Sequence, residues 1–162
     1  MIVVSDTTPL IRLASIGRLE LLQEIFGEVY IPQAVYDETV THGRKEGMAK
    51  QAVANASWIH VVEVKDRLAV VEVLLDEMDL GEVETIILAK EMNADWVLMD
   101  ERKGRRKLDQ LDIPKVGTIG ILLKAKQLGL IPKLKSEIEN LQRSGFSISQ
   151  MIVDELLNSA DE

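Results

Sequence analysis

Short apolar runs alternate with amphipathic stretches along the whole chain. The apolar runs are bounded by turn-forming residues, which predicts buried strands over residues 2–4, 29–31, 58–64, 96–99 and 115–116. Helical spacing of apolar residues predicts helices over 9–15, 18–25, 32–40, 44–55, 67–78, 79–92, 101–111 and 118–129, with two more amphipathic helices after them. Strands that alternate with helices predict an α/β fold with a mainly parallel sheet, and the run at 58–64 is expected at its edge.

The length of the chain predicts a single domain. Its 162 residues, of which 46% are hydrophobic, suffice for a full core. We expect residues 1–162 to form one unit, with C-terminal helices (about 118–159) that pack on it or form an interaction surface. No apolar run approaches the roughly 20 residues of a membrane span, and no basic segment precedes the first one. We therefore expect neither a membrane partner nor a signal peptide.

The content of metal-ligating residues restricts the chemistry. The chain has no Cys, which excludes disulfides and thiolate metal sites and fits a reducing cytoplasm. Its two His residues are too few for a histidine-built zinc site. Any bound metal must therefore be held by oxygen ligands.

The distribution of charge is uneven. The net charge of −8 argues against nucleic-acid binding by the whole surface, but residues 102–107 read RKGRRK and carry five positive charges. This basic run starts just after a candidate acid, so Arg102, Arg105 and Arg106 could hold a phosphate backbone beside it. The alternative is a solvated helix face.

Asp6 stands at the end of the first predicted strand. Open α/β sheets bind ligands at the carboxyl ends of their strands, and a buried charge there requires a partner. The alternative is that Asp6 caps the following helix, but Thr7 and Thr8 stand closer to the helix start. We therefore interpret Asp6 as a functional residue.

Three further acids occupy comparable positions. Asp100 ends the fourth strand, Glu38 lies on the helix after Pro32, and Glu82 lies in the first turn of a helix. Clustered carboxylates repel one another unless a cation neutralises them, and hard divalent ions such as Mg²⁺ or Mn²⁺ suit oxygen ligands.

Each of these acids has an alternative explanation. Asp37 competes with Glu38 for any role, and Asp100 could cap the helix that it precedes. Glu82 could simply complete a capping box with Asp79. Glu84 competes with Glu82, because the two lie roughly 200° apart around a helix and cannot both face one site.

Four short motifs together resemble the PIN-domain superfamily. They are VSDTTPLI at 4–11, IP at 31–32 followed by Val35 and Glu38, GEVETI at 81–86, and VLMD at 97–100. The tail VGTIGILLKAK at 116–126, with Gly145 and Phe146 later, resembles a prokaryotic PIN-like branch of largely unassigned function.

The resemblance implies a three-layer α/β/α sandwich and a metal-dependent ribonuclease similar to VapC-type toxins. By position, Asp6, Glu38, Glu82 and Asp100 match the four acids that bind Mg²⁺ or Mn²⁺. Thr8 matches the hydroxyl residue that positions water or phosphate. The partners implied are RNA, an antitoxin protein and a second copy of the chain. One departure is that the third acid is commonly Asp, whereas this chain has Glu82 with Glu84 close by.

A second function is compatible with the same fold. A PIN-fold binding module with little or no nuclease activity would need no metal. It would use the apolar residues of the C-terminal helices as a dimer seam or as a groove for a partner helix. These residues also suit an ordinary core.

Overall fold

The computed structural model describes residues 1–43, 47–74 and 77–162. Its strands are β1 (Val3–Ser5), β2 (Val29–Ile31), β3 (Ile59–Val61), β4 (Trp96–Leu98) and β5 (Lys115–Val116). The helices of the first half are α1 (Thr7–Ser15), α2 (Leu21–Phe26), α3 (Gln33–Tyr36), which continues into a π-helical turn (Asp37–Thr41), α4 (Met48–Asn55) and α5 (Arg67–Leu74). Those of the second half are α6 (Leu80–Met92), α7 (Arg102–Gln110), α8 (Thr118–Gln127), α9 (Leu134–Arg143) and α10 (Gln150–Ser159).

The five strands form one parallel sheet in the order β3-β2-β1-β4-β5. This confirms the predicted α/β fold, and β3 lies at an edge as expected. Strands β1 and β4 are neighbours in the centre, with Ser5 opposite Leu98, and the Asp6 N–H donates to the Leu98 carbonyl at 3.0 Å. Asp6 and Asp100 therefore follow the carboxyl ends of two neighbouring central strands and lie at the same end of the sheet.

Helices cover both faces of the sheet, because successive strand residues point to opposite sides. Val3 and Leu98 belong to a core under α1, α2, α8 and α9, whereas Val4, Val97 and Met99 belong to a second core under α5, α6 and α7. All five of these side chains have no exposed surface. The result is the three-layer α/β/α sandwich that the resemblance implied.

Several helices begin where the sequence predicts, and others differ by a residue or two. Asp79 caps α6 as predicted, since its Oδ1 accepts from the Glu82 N–H at 2.8 Å. The helix predicted over 118–129 begins at Thr118 as α8, with Gly117 at its cap position. Pro32 stands at the cap of α3 rather than inside it.

Two predicted helices end earlier or begin later than expected. The helix predicted at 44–55 appears as α4, and its residues 44–46 lie outside the described part of the chain. The helix predicted at 67–78 appears as α5, described as far as Leu74; residues 75–76 lie outside the described part, and Glu77 and Met78 are not helical. Along α5 the buried side is formed by Val70, with Val73 and Leu74 beside it, whereas Leu68 is 70% exposed.

The C-terminal helices contribute to the first core. Leu134, Ile138 and Leu141 of α9 are buried there, together with Val153 of α10. On the outer side of α10, Met151 is 72% exposed. Among the described residues, no helix combines the length and apolarity needed to cross a membrane.

Candidate active site

Asp6 is the most deeply buried acid at the carboxyl edge of the sheet. It stands at the cap position of α1 but makes no side-chain capping hydrogen bond, and the residue is only 2% exposed. Burial raises the pKa of its carboxyl group to about 8, although a hydrogen bond from the Thr7 N–H lowers it, and the charges of Asp79, Glu82 and Glu38 raise it further. Asp6 is therefore surrounded by other acids.

Glu38 reaches this cluster from the π-helical turn after α3. Its Oε2 accepts a hydrogen bond of 2.5 Å from Thr7 Oγ1. A Cβ at Gly81 would lie 2.5 Å from Glu38 Oε1, so only glycine at that position lets the carboxylate approach the start of α6. The residue as a whole is exposed, but partial burial of its carboxyl group and the charge of Asp79 raise its pKa, against hydrogen bonds from Thr7 and Gly81 that lower it.

Glu82 closes the capping box of α6 and also lies in the acid cluster. It completes the capping box of α6, because its carboxyl group also interacts with the backbone of Asp79. Burial raises the pKa of Glu82 to about 7, and the charge of Asp79 raises it as well. The cap thus places two carboxyl groups beside Asp6. The sequence identified Asp79 only as a cap, and no signal in it indicated a place in the acid cluster.

Glu84 lies on the other side of the same helix. One carboxylate oxygen accepts from the Ala34 N–H at 3.0 Å, and the other accepts from Arg67 Nη1 at 2.8 Å. The residue is 4% exposed, so its carboxylate is fully occupied in joining α3, α5 and α6. Of the two alternatives for the third acid, Glu82 is the one that faces Asp6.

Asp100 is held differently from the other acids. Its Oδ2 accepts from Arg12 Nη1 at 2.9 Å and from Thr118 Oγ1 at 2.6 Å, and its Oδ1 accepts from the Thr118 N–H at 2.7 Å. The side chain is 10% exposed. Asp100 was considered as a cap of the helix that directly follows it, but Glu101 stands at that position and Asp100 instead bonds to the start of α8.

The two threonines after Asp6 differ in their contacts. Thr7 contacts an acid of the cluster through its hydroxyl group, as described above. Thr8, which the resemblance matched to a positioning hydroxyl, is half-buried on the first turn of α1. The sequence alone did not single out Thr7, because either hydroxyl could face the strand end.

The basic run forms helix α7 beside Asp100. A groove of about 510 Å³ lies there, lined by Asp100, Arg102, Arg105, Arg106, Asp109 and Lys115. Arg105 Nη1 donates to the Met99 carbonyl at 2.7 Å, which fixes one of the lining guanidinium groups. Lys115 forms an ion pair with Asp109 across the groove. The sequence missed Lys115, because it lies on β5 and joins the basic helix only through the fold.

Comparison with known families agrees with this architecture. A family model described as a PIN domain, DUF3368, matches residues 2–162. The chain belongs to this PIN-domain family. No curated protein matches it in sequence. PIN domains are generally nucleases that use divalent metals, so the family assigns the chain a nuclease-type fold.

The acid cluster suits a hard divalent cation in donor type and charge. All of its ligands would be carboxylate oxygens, and burial together with the charge of neighbouring acids raises the pKa values of Asp6, Glu38 and Glu82, an effect that a bound cation opposes. Among the described residues, no basic side chain forms an ion pair with Asp6. The side chains would have to close in on a cation, since within those same ranges no three acids are already grouped as a metal site.

Proposed function

We propose that this PIN domain is a Mg²⁺- or Mn²⁺-dependent endoribonuclease that hydrolyses RNA phosphodiester bonds. The observation that carries the proposal is the buried carboxyl group of Asp6, which has Glu38, Glu82 and Asp79 around it. Burying one acid among others destabilises the fold. Such unfavourable clusters with perturbed pKa values are typical of functional sites.

The chain would hold the cation through Asp6, Glu38 and Glu82, with Asp100 as the fourth ligand. A divalent cation in this position supplies a Lewis acid for the scissile phosphate and lowers the pKa of a water molecule. The Thr7 hydroxyl orients Glu38 within the cluster, and the capping box orients Glu82. Thr8 remains our candidate for contact with water or with the phosphate.

The basic groove gives the substrate a place beside the acids. Arg102, Arg105 and Arg106 line it together with Lys115, and Asp100 lies at its border. Positive charge there offsets the repulsion between an anionic cluster and an RNA backbone. We infer that these side chains contact phosphates and therefore position the RNA without reading its sequence.

Cleavage of a structured RNA by the purified protein tests the proposal. We expect cleavage with Mg²⁺ or Mn²⁺ and none after chelation by EDTA. Asp6→Asn and Asp100→Asn should each abolish cleavage while circular dichroism shows an intact fold. Asp154→Asn is a suitable control, because Asp154 is exposed on α10 and accepts only from Gln150 in the described structure. Full activity in either active-site variant would refute the mechanism.

A binding module without nuclease activity remains the second candidate. The ion pair between Arg12 and Asp100 favours it, since that contact neutralises one of the acids without a metal. Calorimetric titration with Mn²⁺ separates the two functions. Binding by the wild type that is lost in Asp6→Asn supports the nuclease, whereas no binding by the wild type supports the module.

We extend the proposal to a toxin that a partner antitoxin neutralises and that acts as a homodimer. This extension is supported by the resemblance to VapC-type toxins. A small DNA-binding protein encoded in the adjacent reading frame, which copurifies with this chain and stops its cleavage of RNA, would support it. Growth that is unaffected by expression of the active chain alone would contradict it.

A further inference from the structure

Asp100 differs from the other three proposed ligands because its carboxylate already accepts three hydrogen bonds, one of them from an arginine. Arg12 and the Thr118 hydroxyl share Oδ2, and the Thr118 N–H binds Oδ1. The close fit extends to Gly117, where a Cβ would lie 2.7 Å from Asp100 Oδ1. The protein thus holds this carboxylate through three hydrogen bonds, two of them from the start of α8.

Arg12 is itself fixed from a second side. Its guanidinium carbon lies 4.3 Å from the centre of the Phe146 ring, a cation–π contact. Phe146 is held in turn by the end of α9, because its N–H donates to the Leu141 carbonyl at 3.0 Å. Arg12 therefore stands between an acid of the candidate site and the C-terminal segment.

We propose that Arg12 is a positioning residue that withholds Asp100 from the metal site. Arg12 must release Asp100 before that carboxylate binds a divalent cation, so the ion pair and the cation compete for the same oxygen atoms. This inference rests on the proposed metal-dependent function. Among the described residues, the other arginine–acid ion pairs, Arg18 with Glu137 and Arg67 with Glu84, involve no proposed ligand.

Competition between Arg12 and the cation for Asp100 predicts a result that a general effect of positive charge does not. Removing any positive charge near the acids should raise their affinity for a cation somewhat, whichever residue carries it. If Arg12 acts by holding Asp100, however, the gain from Arg12→Gln must disappear once Asp100 is replaced. A double-mutant cycle on Mn²⁺ affinity therefore isolates the effect.

The experiment measures Mn²⁺ binding by calorimetry for the wild type, Arg12→Gln, Asp100→Asn and the double variant. We expect Arg12→Gln to bind Mn²⁺ about tenfold more tightly than the wild type, the scale of one charge-assisted hydrogen bond. The double variant should bind no more tightly than Asp100→Asn alone. Arg105→Gln is the charge-matched control, since Arg105 lies in the same neighbourhood but donates to the Met99 carbonyl, and its effect should be smaller.

The Arg12→Lys variant is a control for local disturbance of the structure by Arg12→Gln. It keeps the charge and one donor, so its Mn²⁺ affinity should lie between those of the wild type and Arg12→Gln. An Arg12→Gln variant that binds no more tightly than the wild type, or whose gain survives in the Asp100→Asn background, overturns the inference. RNA cleavage by the wild type tests the proposed function separately, because the titration needs no substrate.

Discussion

Among the described residues, the buried or nearly buried acids include two groups that differ in their counter-charges. Glu84, Glu137 and Asp100 each receive a hydrogen bond from an arginine, at 2.8, 2.7 and 2.9 Å respectively. Asp6 and Glu82 are also buried, but burial and neighbouring acids raise their pKa values to about 8 and about 7. The fold supplies arginines to acids at several places and surrounds Asp6 with more acids.

The difference shows what each group does for the molecule. An arginine-paired acid joins segments that are distant in the chain, as Glu84 joins α3, α5 and α6. A cluster of acids without counter-charges destabilises the metal-free fold. Such a cluster is useful only if a cation binds to it. The comparison therefore marks Asp6 and Glu82 as candidate ligands without any knowledge of the family, whereas Asp100, although arginine-paired, is a proposed ligand only if Arg12 releases it.

The strongest test of this separation uses two adjacent acids, Glu38 and Asp37. Glu38→Gln should lower Mn²⁺-dependent RNA cleavage by roughly a hundredfold, because even residues that only support a metal ligand cost about 10–100-fold when mutated. Asp37→Asn should leave cleavage nearly unchanged, since Asp37 bonds only within its own helical segment, to Gln33 and Thr41, in the described structure. Initial cleavage rates at saturating Mn²⁺ give the answer, and equal losses in both variants would remove Glu38 from the site.

A second pair, Glu82 and Glu84, should change stability in opposite directions. Glu84→Gln weakens two hydrogen bonds of a buried carboxylate and should cost about 2 kcal/mol in the free energy of unfolding. Glu82→Gln should stabilise the metal-free protein at pH 8, because the amide keeps the capping-box contact and removes a repelled charge. Urea unfolding in EDTA measures both changes. A loss of stability in Glu82→Gln would place Glu82 among the structural acids.

The third comparison is between arginines. Arg12, Arg18 and Arg67 form ion pairs with acids, whereas the arginines of α7 line the groove. Changing Arg105 and Arg106 together to Ala should weaken RNA binding roughly tenfold and reduce the salt slope by about one for each phosphate that is no longer bound. Filter binding of RNA to an Asp6→Asn background, across a range of salt concentrations, measures the slope without cleavage. Lys124→Ala on α8, an exposed position outside the groove, is the control. An unchanged slope would leave α7 as a solvated helix.

The pH dependence of stability provides the most direct test of Asp6. Its pKa is raised from 3.8 to about 8, so the folded protein binds the proton more tightly than the unfolded chain does. The corresponding stability is complete below pH 4 and is lost as the pH rises through 8, with a slope of at most about 1.4 kcal/mol per pH unit.

Asp6→Asn cannot lose this proton, so its unfolding free energy in EDTA should fall less steeply between pH 5 and pH 8 than that of the wild type. Saturating Mn²⁺ should remove the difference in slope by stabilising the wild type at high pH. Parallel stability curves for the two proteins in EDTA would show that Asp6 ionises freely.

Much of the architecture could be predicted because it depends on local patterns. The apolar run 29–31 and the pair 115–116 form β2 and β5 with the predicted bounds, and Asp79 caps α6 as its spacing with Glu82 indicated. The parallel direction of β1 and β4 follows from the alternation of strands and helices, but the fact that they are neighbours, which brings Asp6 and Asp100 to the same end of the sheet, does not.

What the sequence could not predict depends on side-chain contacts between distant segments. The ion pair of Arg12 with Asp100 spans 88 positions, and the choice between Glu82 and Glu84 required the location of Arg67 and Ala34. Likewise, nothing local distinguished Thr7 from Thr8. The roles of the four acids and of the basic helix stay predictions until the experiments above are done.

The position of Glu38 in the candidate site depends on the absence of a side chain at Gly81. A single methyl group there would come within 2.5 Å of a Glu38 carboxylate oxygen and within 2.9 Å of the carbon that carries it. Alanine at position 81 would therefore remove no ligand and change no charge, yet displace Glu38 from the cluster. In a screen of random variants, this conservative change should be as harmful to function as the loss of an acid.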